Sequence, residues 1–335
     1  MPVMTLKTLR LSCFVLFPCL LLGGCTPLIH PPGLEHVEPQ LRKAHFVATD
    51  GAVLPVRSWL PHDGKAKAVV VALHGFNDYS NAFTMPGRYL SEHGIALYAY
   101  DQRGFGNAPG RGLWAGMDAY VDDLSQFTRL VGKSHPGKPV YILGESMGGA
   151  LAIVAMTSER PPSADGIILS APAVWGRSTM PWYQRALLSI SVSTVPWLQL
   201  TGESLGILPS DNIEMLRGLG RDPLVIKETR VDAIYGLVNL MDEALSRVEQ
   251  LNKEVLVLYG EHDQVIPKEP VSLMLKKLSK TGTARVALYE QGYHLLLRDL
   301  SAAKPWADIA AWVADRSKPL PSGADRRNML AFLNP

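Results

Sequence analysis

Ser146 stands inside Gly144-Glu145-Ser146-Met147-Gly148-Gly149, and what flanks that stretch gives the serine a task. A serine hydroxyl is a poor nucleophile at neutral pH. It attacks a carbonyl when a base within hydrogen-bond reach takes its proton and a carboxylate orients that base. The run before it, Lys138 to Leu143, is β-branched and aromatic and reads as a buried strand. The run after it, Gly149 to Met156, is small and apolar and reads as a buried helix. A G-x-S-x-G at a strand-to-helix turn lifts its serine to the apex of a sharp backbone reversal. The pattern alone is weak, so this context carries the inference that Ser146 is a nucleophile.

Two later loops supply the partners. Val255 to Tyr259 reads as a strand followed by Gly260-Glu261-His262-Asp263, which puts Asp263 just beyond the strand end. Arg285 to Tyr289 reads as the last strand, followed by Gln291-Gly292-Tyr293-His294. In a parallel sheet all three loops open on one edge, where ligands bind. Glu261 and His262 are rivals for the acid and the base. Asp263 is preferred because the next helix begins at Pro267, and His262 is set aside because it adjoins the proposed acid. Taken singly, Ser146 could be a turn residue, Asp263 a helix cap and His294 a surface histidine; their joint occurrence favours a triad. The tetrahedral intermediate also needs N–H donors. Met147 supplies one and Phe76, in Leu73-His74-Gly75-Phe76-Asn77, the other, with Gly75 permitting close approach. His74 and Gly75 are expected to border the substrate.

The elements that must hold these loops follow from periodicity. His45 to Thr49 and Val53 to Trp59 form a strand pair around Asp50-Gly51. Ala68 to Leu73, Ile95 to Tyr100 and Gly166 to Ser170 read as strands; Asn81 to Glu92 and Met117 to Val131 read as helices. Strands alternating with helices imply an α/β fold with a mostly parallel central sheet flanked by helices. The alternation breaks at Ala171-Pro172 and resumes near Val255. The interval carries Trp175, Met180, Trp182, Leu187, Leu188, Val195, Trp197 and Leu198 and shows no clear strand. It reads as a helical cap, residues 173–232, inserted after the sixth strand; simple packing onto the core is the bland alternative. Trp175 and Trp182 are its candidate substrate contacts. Gln184 and Arg185 interrupt the apolar stretch 182–200, which argues against a membrane span. Asp101-Gln102-Arg103-Gly104-Phe105-Gly106 hints at dinucleotide binding, but Pro109 stands where the third glycine belongs. Asp101 and Arg103 are expected to fix the loop beside the site.

With 335 residues and 47% hydrophobic content, the chain suffices for one large α/β domain or two small ones. Of 33 basic residues, Lys7 and Arg10 lie in a leader; without them 31 face 31 acidic ones. A balanced charge with no basic run argues against nucleic acid as the main partner. The three cysteines are Cys13, Cys19 and Cys25, so disulfides and cysteine-held zinc are excluded from the rest of the chain. Leu11 to Leu22 is apolar but short for a bilayer span. It runs into Leu22-Gly23-Gly24-Cys25, which resembles the lipobox of bacterial lipoproteins; an ordinary signal peptide or an uncleaved anchor is the alternative. The expectation is a signal peptide at 1–24, lipidation of Cys25, and an extended tether through residue 44 containing Pro27, Pro31, Pro32 and Gly33. Thr26 after the cysteine points to the outer membrane of a cell envelope, facing the periplasm.

His74-Gly75, Asp101-x-Arg103-Gly104-x-Gly106, Gly144-x-Ser146-x-Gly148, Gly260-x-x-Asp263 and His294 together resemble the α/β-hydrolase superfamily. The likeness is to its branch of monoacylglycerol lipases and bacterial lysophospholipases, the serine aminopeptidase S33 or Hydrolase_4 group, over residues 45–315. Asn107-Ala108 departs from the pattern, since many members carry a serine there. The resemblance implies an α/β-hydrolase core in two parts, 45–172 and 233–316, with a tail at 317–335. It further implies ester hydrolysis on a single acyl chain, with no metal or organic cofactor. A monoacyl lipid, either lysophospholipid or monoacylglycerol, is then the expected substrate. Acyl transfer or short-chain esterase activity on the same triad are alternatives. So are a peptidase drawing on Glu203, Asp211 and Glu214, and a non-catalytic lipid- or protein-binding lipoprotein.

Overall fold

The computed structural model describes residues 26–202, 206–327 and Phe332. The expected signal peptide, the lipidation site Cys25 and Glu203 lie outside the described residues.

The chain builds a nine-stranded sheet. In sequence its strands are β1 (Gln40–Leu41), β2 (His45–Val47), β3 (Val53–Trp59), β4 (Ala68–Leu73), β5 (Ile95–Tyr100), β6 (Val140–Glu145) and β7 (Gly166–Ser170). Two short strands of a separate ribbon follow, β8 (Gln199–Thr201) and β9 (Glu228–Arg230), before β10 (Glu254–Gly260) and β11 (Ala284–Tyr289) return to the sheet. The spatial order is β1-β2-β3-β5-β4-β6-β7-β10-β11. From β5 to β11 every pairing is parallel, and β1 to β3 add an antiparallel edge.

Residue pattern explains this architecture. In β4 the entirely apolar run Ala68–Leu73 is buried on both faces. Val69, Val71 and Leu73 enter one core, and Ala68, Val70 and Ala72 enter the other. That period of two is what a strand between two helical layers requires. Helices α2 (Met117–Ser134), α3 (Met147–Met156), α6 (Val231–Arg247) and α7 (Lys268–Leu278) cover the first face. Helices α1 (Thr84–Glu92) and α8 (Ala303–Ala314) cover the second. Helix α3 is apolar all round, and every residue in it is buried. The chain leaves β4 for β5 on one side and then crosses back to β6 on the other. That reversal opens a crevice at the carboxyl ends of β4 and β6, the usual ligand site of such sheets.

Between β7 and β10 lie α4 (Trp182–Thr194), β8, α5 (Ile213–Arg221) and β9. The insertion is therefore not wholly helical, because β8 and β9 pair antiparallel. Strands of three residues, with β8 fully exposed, carry no inside–outside alternation for a sequence to display. The added edge strand β1 makes β7 the seventh strand in the chain. Helix α6 begins at Val231 and returns to the core against α3.

The segment expected to be an extended tether lies on the body, and part of the C-terminal tail is buried. Ile29 bridges to Trp114, His30 N–H donates to Trp114 O (2.8 Å), and Leu28 N–H donates to Asp232 (3.2 Å). Residues 28–41 thus form a strap along the domain. In the C-terminal tail, Leu320, Ala324 and Phe332 are buried, Phe332 against Tyr259.

Candidate active site

Ser146 joins β6 to α3 with φ 53° and ψ −115°. A residue bearing a Cβ is strained there, by something on the order of 1–3 kcal/mol. Its surroundings hold the turn regardless. Ser146 N–H donates to Ser170 O (3.0 Å), and Ser146 O accepts from the N–H groups of Gly149, Ala150 and Ala173. The flanking glycines are required by close approach. A Cβ on Gly144 would lie 2.3 Å from Gly148 O, and one on Gly148 would lie 2.1 Å from Leu73 O.

The structure brings Ser146, His294 and Asp263 together from three loops at one sheet edge. Ser146 Oγ is 3.0 Å from His294 Nε2, and His294 Nδ1 is 2.8 Å from Asp263 Oδ2. The other Asp263 oxygen accepts the N–H groups of Val265 (2.8 Å) and Ile266 (2.9 Å), which fixes the carboxylate in the loop after β10. A carboxylate accepts only, so Nδ1 carries the proton and Nε2 is left to accept from the serine. Burial opposes charge on His294. The Asp263 carboxylate more than reverses this, Glu145 adds to it and Arg298 works against it, so the imidazole titrates above the ordinary histidine value.

Of the two expected N–H donors, Met147 directly follows the serine and Phe76 follows Gly75, which packs against it. Met147 opens α3, where the first amides have no intrahelical acceptor. Among the described residues neither Met147 N–H nor Phe76 N–H has a backbone or side-chain acceptor. Gly75 lies against the nucleophile: a Cβ on it would sit 3.4 Å from Ser146 Cβ. Phe76 packs its ring on Phe105 and Trp114. The next residue, Asn77, has φ 65° and is gripped by the insertion through Thr229 Oγ1 (2.6 Å) and Ile226 N–H (2.9 Å).

Of the expected substrate contacts, His74 needs correction, and Trp175 and Trp182 stand apart from the triad in different settings. His74 is fully buried and does not face the cleft. Its Nε2 accepts Gln102 N–H (2.9 Å) and its Nδ1 donates to Gly75 O (2.9 Å), so it braces the loop after β4 as a neutral imidazole. Burial lowers its pKa accordingly. Trp175 is half-buried against the main core. Trp182 is 72% exposed on α4, with its ring against Tyr183. Asp101 and Arg103 do fix neighbouring loops. Asp101 accepts from Ser80 and from Asn107 N–H, and Arg103 forks onto both Asp50 and Asp123. Asp211 accepts Leu300 N–H, and Glu214 pairs with Arg217 on the exposed side of α5.

Sequence reasoning missed the polar groups behind the triad. Arg298, four residues after His294, is buried between Asp78 Oδ2 (2.7 Å) and Glu145 Oε2 (3.4 Å). Asp299 accepts Ser210 Oγ–H (2.6 Å) and Tyr293 N–H (2.7 Å), which ties the histidine loop to the insertion. The one sequence signal for them is a charged pair ending the apolar run Leu295-Leu296-Leu297. A cavity of about 630 Å³ opens behind them, lined by Met85, Met215, Leu219 and Trp306; no triad residue lines it.

Comparison with known proteins places the chain in a family. The sequence model of the Hydrolase_4 family, described as serine aminopeptidase, S33, matches residues 64–301. The monoglyceride lipase of Homo sapiens is 28% identical over 286 residues, covering 82% of this chain and 90% of that protein. The monoacylglycerol lipase of Mycolicibacterium smegmatis is 24% identical, covering 81% and 97%. Among solved structures, the monoacylglycerol lipase of Paleococcus ferrophilus superposes with a TM-score of 0.63 at 22% identity, over 78% of this chain and 98% of that one. That likeness speaks for the α/β-hydrolase fold.

Proposed function

From the premise that this chain belongs to the Hydrolase_4 (serine aminopeptidase, S33) family, we propose that it cleaves the ester of monoacyl lipids at Ser146. The chain is a serine carboxylic ester hydrolase. The observation that carries the proposed chemistry is the hydrogen-bonded line Ser146–His294–Asp263, at 3.0 and 2.8 Å. Ser146 Oγ attacks the ester carbonyl while His294 Nε2 takes its proton. Asp263 holds the ring and stabilises the imidazolium that forms. The oxyanion settles on the Met147 and Phe76 N–H groups. On collapse, the alcohol leaves with the proton from His294, and an acyl group remains on Ser146. Water, deprotonated by His294, then releases the fatty acid and restores the serine.

Monoacylglycerol is the proposed substrate, with lysophospholipid as the alternative head group. Support comes from the relatives that bear the name monoglyceride lipase. It comes also from the apolar face on the insertion, where Trp182, Leu187, Ile190 and Trp197 are exposed. Lipidation at Cys25 and residence at an outer membrane complete the proposal; both rest on the sequence around that cysteine. The test is hydrolysis by the chain beginning at Thr26 of a monoacylglycerol length series, a lysophospholipid and short soluble esters. Monoacyl lipids should be preferred, and Ser146→Ala should be silent on all of them. Efficient turnover of short esters with none of monoacyl lipids would reject the substrate class.

A further inference from the structure

Arg298 contributes more than its place in the sequence suggests. Its guanidinium is buried where three loops meet. Nη1 binds Asp78, two residues past Phe76 on the oxyanion loop (2.7 Å). Nη2 reaches Glu145, the residue before the nucleophile (3.4 Å). Its own backbone turns back on the histidine loop, Arg298 N–H donating to Leu295 O (2.7 Å), and Arg298 O accepts from Asn212 at the head of α5 (3.0 Å). Arg298, itself on the histidine loop, thus ties the oxyanion loop and the nucleophile turn to it through its side chain.

Stability alone does not account for this cluster. Among the described residues, Glu145 Oε1 and Arg298 Nε are buried without a hydrogen-bond partner. A buried ion network left partly unsatisfied is worth less to folding than apolar residues of similar volume. Such a network persists where its geometry serves a purpose.

We infer that Arg298 is a positioning residue for the ester hydrolysis: held between Asp78 and Glu145, it keeps the oxyanion loop, the nucleophile turn and the histidine loop in one register. The inference rests on the reading of Ser146 and His294 given above. It has an electrostatic corollary. The charged groups acting on the His294 ring are Asp263 from the loop after β10, Glu145 from β6, and Arg298 and Asp299 from its own loop. Glu145 favours the imidazolium and Arg298 disfavours it. Removing one or the other must move the acid limb of the rate profile in opposite directions.

The experiment compares full-length wild type, Arg298→Lys, Arg298→Met, Glu145→Gln and Ser146→Ala on one soluble ester, reading kcat and KM from pH 5 to 9 and near-ultraviolet circular dichroism for the fold. Lysine keeps the charge but loses the fork. Arg298→Lys should lower kcat by about a hundredfold, the scale of a 1 Å misplacement, with KM changed little. The acid limb of kcat/KM should move to lower pH in Glu145→Gln and to higher pH in Arg298→Met. If the methionine variant does not fold, the lysine and glutamine variants carry the test. A folded Arg298→Lys with wild-type kcat, together with an unmoved limb in Glu145→Gln, overturns the inference while an inactive Ser146→Ala leaves the nucleophile standing. Undiminished activity in Ser146→Ala overturns both.

Discussion

At the scale of the residue, the site trades backbone strain for reach. Ser146 holds φ at 53°, where glycine is at ease and other residues are not. Ser146→Gly should therefore be more stable than Ser146→Ala by about 1 kcal/mol, read as a higher midpoint in urea. Both should lose activity, by roughly 10⁶-fold for a nucleophile of this kind. Equal midpoints would mean that the turn is not strained. His294 gives the second residue-scale prediction. The base must be neutral to accept the serine proton, so the rate rises as pH climbs through its pKa. That value is raised above 6.5, and the midpoint of the acid limb should lie above 6.5 as well. Asp263→Asn removes the carboxylate responsible and sets the wrong tautomer, and should cost about 10⁴-fold in kcat. A limb centred below 6.5 would contradict the electrostatics described for this histidine.

The elements explain why some of this could be read in advance. Ser146, Asp263 and His294 each follow a strand whose apolar run is unmistakable, and a parallel sheet delivers all such loops to one edge. Residue type and spacing therefore carried the placement. His74 reads differently because a histidine beside Gly75 looks the same in sequence whether it faces a substrate or, as here, two backbone groups. Arg298 was hidden for the same reason, since nothing in a sequence distinguishes a buried guanidinium from a solvated one. The ribbon β8–β9 escaped because three exposed residues have no periodicity. Packing at the element scale yields its own prediction. Helix α3 lies so close to β4 that a methyl group on Gly148 would collide with the Leu73 carbonyl. Gly148→Ala should destabilise by about 1–3 kcal/mol or more, because backbone rather than a flexible side chain must yield. The adjoining Gly149→Ala, which meets Pro172 Cβ at 2.9 Å, should cost less. Denaturant midpoints of the two variants measure the difference, and the reverse order would deny that α3 is pinned at Gly148.

At the scale of the whole molecule, the described residues include a cluster of exposed apolar side chains on the insertion. Trp182, Leu187 and Ile190 stand exposed on α4, and Trp197 and Leu198 continue the patch toward the base of the insertion. The docked strap runs to the same place: Leu28 binds Asp232, whose own N–H donates to Pro196 O, while Val231 N–H donates to Leu198 O. The chain leading to Cys25 therefore leaves the body beside the apolar patch. An acyl anchor there and the patch would meet the same lipid surface, with each contributing by mass action to the time spent on it. For the chain beginning at Thr26, the patch acts alone. Each large side chain withdrawn from water is worth ~1.5 kcal/mol or more. Leu187→Asp with Ile190→Asp should then weaken partition onto lipid vesicles by roughly a hundredfold, since two such side chains amount to about 3 kcal/mol. Hydrolysis of vesicle-borne monoacylglycerol should fall in step, while hydrolysis of a short soluble ester stays unchanged because both side chains face solvent on α4. Under the proposed lipidation of Cys25, restoring the full chain should recover most of the vesicle activity, since the anchor would replace what the patch supplied. Equal loss on soluble and vesicle-borne esters would instead make α4 part of the acyl site, and unchanged partition would remove the patch from the membrane contact altogether.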